Sequence, residues 1–138
     1  MYPIELIRPM SQELNMVGFE SLTTPEEVIA KLSAKEGTSL LVVNSVCGCA
    51  AANARPGARM AVKGAIKPDH LFTVFAGVDA TATAKAREFL LPYPPSSPAI
   101  ALFKDGKLVH MIERHQIEGR SAQMIADNLA NAFSTYCN

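Results

Sequence analysis

The fold is decided by the stretch SLLVVNSVCGCAAANARPGARMAVKG, residues 39–64. It opens with a continuous apolar run from Ser39 to Asn44, which is typical of a strand covered on both faces. It closes with an alanine-rich stretch from Ala50 to Gly64, which predicts a helix kinked at Pro56. The intervening Cys-Gly-Cys, residues 47–49, therefore lies where a buried strand passes into a helix.

The flanking sequence alternates helical and strand patterns. The predicted elements before the stretch are a short helix over 11–18 and a helix that begins at the cap Thr24 and stops near Gly37. After it come a strand over 71–75, a helix over 79–91 capped by Asp79, and a terminal helix over 121–136. Between the last two helices, four prolines within residues 92–98 exclude regular structure, and Asp105-Gly106 predicts a hairpin of strands 99–104 and 107–112. This pattern predicts an α/β fold with a central mixed β-sheet flanked by helices on both faces.

Length and charge narrow the class of protein. The chain has 138 residues, so we expect a single domain over 1–138. Its formal net charge is zero with no basic run, which argues against nucleic-acid and anionic-membrane binding. The start of the chain lacks the pattern of a signal peptide, and no segment is long and apolar enough to span a bilayer. We therefore expect a cytoplasmic protein whose partner is a small molecule or another protein.

Cys47 and Cys49 are the residues with the clearest chemistry. A thiolate is the nucleophile of disulfide exchange, and a helix amino terminus stabilises it. A turn at Gly48 would bring the two sulfurs together, whereas an extended strand would hold them near the upper limit for a bridge. A disulfide closed over one residue should be strained and easily reduced. Two alternatives stay open, namely two small buried side chains and a soft-metal site, although no convincing ligand spacing supports a metal.

Three further positions have weaker signals. Ser97-Pro98 comes before a strand, where a cis bond would let a backbone edge face the cysteines and accept an extended substrate; an ordinary trans proline is the alternative. Arg55 would add positive potential near Cys47, although a solvated helix arginine is the preferred interpretation. Cys137, next to the carboxyl terminus, is predicted to be a bystander thiol.

The motifs together resemble the bacilliredoxin family of the thioredoxin-like superfamily over nearly the whole chain. The matching segments are MYPIEL at 1–6, TTPEEV at 23–28, VVNSVCGCAA at 42–51, KPDH at 67–70, VFAG at 74–77, YPPSSPAIALFKDGKLVH at 93–110 and RHQIEG at 114–119. The resemblance implies a thioredoxin-like fold. It also implies a thiol–disulfide oxidoreductase that removes bacillithiol from mixed disulfides on cytoplasmic client proteins.

Residue by residue, the resemblance implies that Cys47 is the attacking thiolate and Cys49 the resolving thiol. Gly48, Ser97 and Pro98, the last as a cis-proline, would bind the substrate. No bound cofactor or metal is implied, because bacillithiol is the exchanging thiol. The strand before the motif departs from thioredoxins, since it has no carboxylate where they place a buried aspartate, and Asn44 and Ser45 cannot replace an ionised base. A general disulfide isomerase or reductase, and a non-catalytic metal-binding or redox-sensing module, are the alternative functions.

Overall fold

The computed structural model describes residues 2–138 and is built on a five-stranded sheet of order β1-β3-β2-β4-β5. The strands are β1 (Glu20–Ser21), β2 (Thr38–Asn44), β3 (His70–Phe75), β4 (Ala99–Lys104) and β5 (Lys107–Ile112). The helices are α1 (Ile4–Asn15), α2 (Pro25–Leu32), α3 (Arg55–Ala61), α4 (Ala80–Phe89), α5 (Arg114–Ile117) and α6 (Ala122–Tyr136), with a π-helical segment (Ala50–Ala54) leading into α3. β1, β3 and β2 are parallel, while β4 is antiparallel to β2 and β5 to β4, so the predicted mixed sheet is confirmed.

Strand β2 is central because helices cover both of its faces. Leu40 and Val42 lie in a core cluster with residues of α1, α3 and α6. Leu41 and Val43 point to the opposite face and pack with residues of α2 and α4. Successive side chains of a strand alternate between faces, so burial of both faces requires the unbroken apolar run seen in the sequence.

Helix α1 differs from the sequence prediction. It begins at Ile4 and ends at Asn15, whereas the prediction began at residue 11 and ended at residue 18. Pro9 lies inside the helix, and proline is ordinarily a helix breaker because it lacks an N–H and its ring crowds the preceding turn. Ile7 and Leu14, two turns apart on one face, are buried, and this packing stabilises the turn that Pro9 weakens.

One helix cap and two short elements also differ from the sequence prediction. Asp79 occupies the N-cap position of α4, but its side chain accepts no capping hydrogen bond, so the predicted cap is wrong in its chemistry. The two-residue β1 and the four-residue α5 were absent from the prediction, because elements this short have no periodicity to detect. Within residues 2–138 we find no helix with the length and apolar character needed to cross a membrane.

The hairpin and the helix packing agree with the local sequence. Asp105 and Gly106 have φ of 52° and 82°, the left-handed values of a two-residue hairpin turn, so the hairpin is confirmed. Gly57 lies where α3 crosses α6, and a Cβ at this position would come within 2.6 Å of Ile125 Cγ2. The absence of a side chain at Gly57 therefore allows the helix that follows the cysteines to pack directly on α6.

Candidate active site

The structure places Cys47 and Cys49 in the turn that follows β2, at the start of the helical stretch leading into α3. The carbonyl oxygen of Cys47 accepts hydrogen bonds from the N–H groups of Ala50 and Ala51, which begins the helix. The two sulfurs are 2.9 Å apart, and both thiols are free and half-buried. The turn thus brings together the two cysteines that the sequence places two residues apart.

Gly48 plays a different part from the one expected. Its φ is not in the left-handed region, and a Cβ added to it would meet no atom within 4 Å. The turn therefore does not require the conformational freedom of glycine. What Gly48 contributes is open space beside the sulfurs, where a side chain would stand.

Cys47 is surrounded by hydrogen-bond donors. The hydroxyl of Ser45 donates to Cys47 Sγ at 3.2 Å, and Ser45 Oγ accepts a hydrogen bond from the backbone N–H of Cys47 at 3.3 Å. Burial raises the pKa of the Cys47 thiol, but hydrogen bonds from Cys49, Ser45 and the backbone N–H groups of Ala50 and Cys49 outweigh burial and lower the pKa from 9.0 to about 7. At neutral pH about half of Cys47 is therefore the nucleophilic thiolate.

Cys49 has the opposite ionisation. Burial raises the pKa of its thiol, and the hydrogen bond to Cys47 and the negative charge of the Cys47 thiolate raise it further. The guanidinium of Arg114 lowers the pKa of Cys49, while Glu118 raises it. One sulfur of the pair is therefore poised to attack and the other to hold its proton.

Arg114 joins the cysteine site to the proline-rich loop. The Ser97–Pro98 peptide bond is cis, as is Leu91–Pro92. Arg114 Nη1 donates to the carbonyl oxygen of Ser97 at 3.2 Å, and the backbone N–H of Arg114 donates to Ser96 Oγ at 3.4 Å. The positive charge of Arg114 acts on both thiols. No role for Arg114 could be predicted from the sequence, because nothing in its local pattern shows that α5 folds back to this loop.

The interpretation of Arg55 as a solvated helix arginine is wrong. Arg55 is 1% exposed and lies beneath the cysteine turn, where its guanidinium donates to Glu13, Asn44 and the carbonyl oxygen of Ser45. Arginine is rarely buried unless it is paired, and here every one of these contacts is polar. A buried cation therefore contacts the end of β2, the strand that has no carboxylate.

Cys137 lies at the other end of β2. It lines a cavity with Thr38, Asp69 and Lys104, next to the first residue of the strand, whereas Cys47 follows the last residue. Seven residues of strand separate the two ends by roughly 20 Å. Burial also raises the pKa of Cys137. This thiol is therefore less ionised than Cys47, in addition to being distant from the cysteine pair. Within residues 2–138, the structure assembles no group of three or more His, Cys, Asp or Glu residues that could hold a metal ion.

Comparison with known proteins agrees with this geometry. Residues 2–137 match a family described as disulphide isomerase. A bacilliredoxin of Cytophaga hutchinsonii is 63% identical over 94% of this chain and 95% of its own length, and a bacilliredoxin of Halalkalibacterium halodurans is 50% identical over 99% and 94%. The chain belongs to the bacilliredoxin family. It is also 51% identical to a bacilliredoxin of Salinibacter ruber over 99% of this chain and 81% of that protein.

Solved structures show which fold this bacilliredoxin-family chain adopts. A thioredoxin of Malassezia sympodialis superposes with a TM-score of 0.61 over 88% of this chain and 92% of that chain, at 10% identity. Thioredoxin O2 of Arabidopsis thaliana, in its oxidised state, superposes with a TM-score of 0.59 over 89% and 97%, at 16% identity. The predicted thioredoxin-like fold is confirmed. Family membership and fold together identify a thiol–disulfide oxidoreductase.

Proposed function

We propose that this protein removes bacillithiol from mixed disulfides on cytoplasmic client proteins. The observation that carries the proposal is the pair of free sulfurs 2.9 Å apart, with the pKa of Cys47 lowered to about 7 and that of Cys49 raised. An exchange enzyme needs one ready thiolate and a second thiol within reach, and this pair has both. The substrate is inferred from the bacilliredoxin relatives, one of which is 63% identical over 94% of this chain.

In the first step, the Cys47 thiolate attacks the bacillithiol sulfur of the client disulfide. The bond between client and bacillithiol breaks, a bond between Cys47 and bacillithiol forms, and the client cysteine leaves as a thiolate that takes a proton from solvent. The hydrogen bonds that stabilise the Cys47 thiolate favour this step at neutral pH.

In the second step, Cys49 loses its proton and attacks the sulfur of Cys47. A Cys47–Cys49 disulfide forms, and bacillithiol leaves as a thiolate. The first step prepares the second, because Cys47 in a mixed disulfide has no negative charge to raise the pKa of Cys49, whereas the lowering effect of Arg114 persists. A thiol reductant then returns two electrons to regenerate the dithiol.

We assign substrate binding to Gly48, Ser97 and Pro98. The open space at Gly48 leaves room for a disulfide beside the sulfurs. Ser97 and Pro98 belong to a loop that Arg114 fastens to α5, and Arg114 also acts electrostatically on the thiols. An extended client segment pairing with this loop would present its disulfide to Cys47.

A general protein disulfide isomerase is the second candidate, and the match of residues 2–137 to a family described as disulphide isomerase favours it. Both functions start with attack by Cys47. They differ in the substrate, since an isomerase acts on disulfides between protein cysteines. In an isomerase Cys49 would serve mainly to release trapped intermediates.

One kinetic comparison distinguishes the two candidate functions. A client protein carrying one bacillithiol mixed disulfide and a protein with scrambled disulfides are offered to wild type, Cys47→Ser and the matched control Cys137→Ser. We expect faster release of bacillithiol than repair of scrambled disulfides, loss of both in Cys47→Ser and wild-type rates in Cys137→Ser. Bacillithiol release by Cys47→Ser at the wild-type rate would refute the proposal, and equal efficiency on both substrates would favour the isomerase.

A further inference from the structure

The buried Arg55 has no part in the exchange chemistry described so far. It is the largest of the fully buried side chains, at 1% exposure, and it lies on α3, two turns of helix beyond Cys47. Burying a guanidinium is costly unless each donor finds an acceptor. Its partners therefore indicate what the burial achieves.

The guanidinium of Arg55 binds the end of β2. Nη1 donates to Asn44 Oδ1 at 2.9 Å and to the carbonyl oxygen of Ser45 at 2.8 Å. Asn44 Oδ1 also accepts the backbone N–H of Ser45 at 2.9 Å, and Asn44 Nδ2 donates to the carbonyl oxygen of Met10 at 3.3 Å. Both backbone polar groups of Ser45 are thus fixed. Arg55 binds its carbonyl oxygen, and the side-chain amide of Asn44, which Arg55 also binds, accepts from its N–H.

Ser45 links this network to the nucleophile. Its hydroxyl donates to Cys47 Sγ at 3.2 Å and is oriented by the N–H of Cys47, which it accepts at 3.3 Å. A hydroxyl has a single proton to donate, so its direction depends on the backbone that carries it. On the other side of Arg55, Nε donates to Glu13 Oε2 at 3.1 Å, which ties the network to α1.

We propose that Arg55 is a positioning residue that clamps the backbone of Ser45, so that the Ser45 hydroxyl points at the sulfur of Cys47 and stabilises its thiolate. Arginine stays protonated in proteins, so Arg55 does not relay a proton. Its planar fork instead offers fixed donors to Glu13 and to the Asn44–Ser45 pair at once. A buried cation with a positioning role thus contacts the end of β2, a strand that has no carboxylate to serve as a base.

The test is the pKa of Cys47, measured from the pH dependence of its alkylation by iodoacetamide and read by peptide mass. Ser45→Ala should raise this pKa from about 7 to about 8, because one hydrogen bond to a charged group is lost. Arg55→Met combined with Glu13→Gln removes the clamp without leaving a carboxylate unpaired, and should raise the Cys47 pKa in the same direction. Glu13→Gln alone keeps an oxygen acceptor for Nε and is the matched control, with the wild-type pKa expected.

A double-mutant cycle distinguishes positioning from a direct effect of charge. In the Ser45→Ala background, adding Arg55→Met and Glu13→Gln should leave the Cys47 pKa within about 0.2 of the Ser45→Ala value, since there is no hydroxyl left to position. The proposal would be overturned if the shifts of the Cys47 pKa caused by Ser45→Ala and by the Arg55→Met, Glu13→Gln pair were fully additive. A wild-type Cys47 pKa in the folded Arg55→Met, Glu13→Gln chain would also overturn it.

Arg55→Lys keeps the test decisive if the methionine variant does not fold. Lysine retains the charge, but its single ammonium lacks the separate Nε and Nη1 donors that reach Glu13 and the Asn44–Ser45 pair together. We expect a raised Cys47 pKa in Arg55→Lys, and an unchanged one would contradict the clamp. The inference rests on Cys47 being the attacking thiol, but its readout is ionisation and not turnover, so the two proposals can fail separately.

Discussion

At the scale of single residues, the site is a pair of sulfurs with unequal surroundings. Cys47 receives hydrogen bonds from Ser45, Cys49 and backbone N–H groups, while Cys49 is half-buried beside the negative charge of the Cys47 thiolate. The motif in the sequence was enough to find both thiols, because a strand that ends in cysteines before a helix has a physical signature. The sequence was not enough to find what tunes them.

Arg55 and Arg114 show why the residues that tune the thiols could not be found from the sequence. Arg55 is eight residues from Cys47 along the chain, but its burial depends on how α1 and α3 pack, which no local pattern reveals. Arg114 is 67 residues from Cys47 and reaches the site through the carbonyl oxygen of Ser97. Both placements are consequences of tertiary packing, so the sequence pattern predicts a solvated helix arginine at Arg55 and no role for Arg114.

The charge of Arg114 should matter in the second step of exchange. Arg114 lowers the pKa of Cys49, so Arg114→Gln should slow the attack of Cys49 on a preformed Cys47 mixed disulfide by roughly two- to threefold at pH 7. The effect should shrink at high salt because Arg114 is exposed. Rapid-quench detection of released bacillithiol measures the rate.

A control variant makes the Arg114 prediction specific. Arg8→Gln removes the same charge from the exposed face of α1 and should leave the rate of the second step unchanged. A rate in Arg114→Gln equal to that of Arg8→Gln would show that the guanidinium has no influence on Cys49.

At the scale of elements, long patterned segments were predictable and short or packed ones were not. The buried run of β2 and the Asp105-Gly106 hairpin could be predicted from the sequence, since each has a local cause. The predicted helix over 11–18 does not include the first half of α1, where Pro9 weakens the local helical pattern and burial of Ile7 and Leu14 compensates for it. Tertiary contacts outweighed local propensity in this segment.

The contact between α3 and α6 depends on Gly57. A Cβ there would approach Ile125 Cγ2 to 2.6 Å and the carbonyl oxygen of Ala122 to 3.1 Å, so Gly57→Ala forces the helices apart. We expect a loss of about 1–3 kcal/mol in the free energy of unfolding, measured by urea denaturation. Gly48→Ala is the matched control, because a Cβ at that position meets no atom within 4 Å. Equal stability of the two variants would show that α3 and α6 adjust without strain.

At the scale of the whole molecule, the thioredoxin-like fold places the site where the central strand ends and the helix begins. Alternation of strands and helices was enough to predict a mixed sheet with helices on both faces. Strand order, the parallel pairing of the two-residue β1 with β3 and the return of α5 to the proline loop were not predictable, since each rests on contacts between distant segments.

The ionisation of Cys47 should be visible in the stability of the whole chain. The folded pKa is about 7 and the ordinary value is 9.0, so between these values the unfolded chain holds a proton that the folded chain has released. The free energy of unfolding of the reduced protein should therefore rise from pH 7 to pH 9 relative to Cys47→Ser. After discounting for solvent exposure, we expect about 1 kcal/mol, measured by denaturation at each pH. A difference that stays constant over this range would contradict the lowered pKa.

The most direct test of the account is the mass of the Cys49→Ser variant after reaction with a bacillithiolated client. Without a resolving thiol the exchange should stop after the first step, with bacillithiol attached to Cys47 and the client thiol released. Peptide mass spectrometry should then place one bacillithiol on the peptide that contains Cys47. Bacillithiol retained on the client, or a disulfide that joins the client itself to Cys47, would contradict the proposed function.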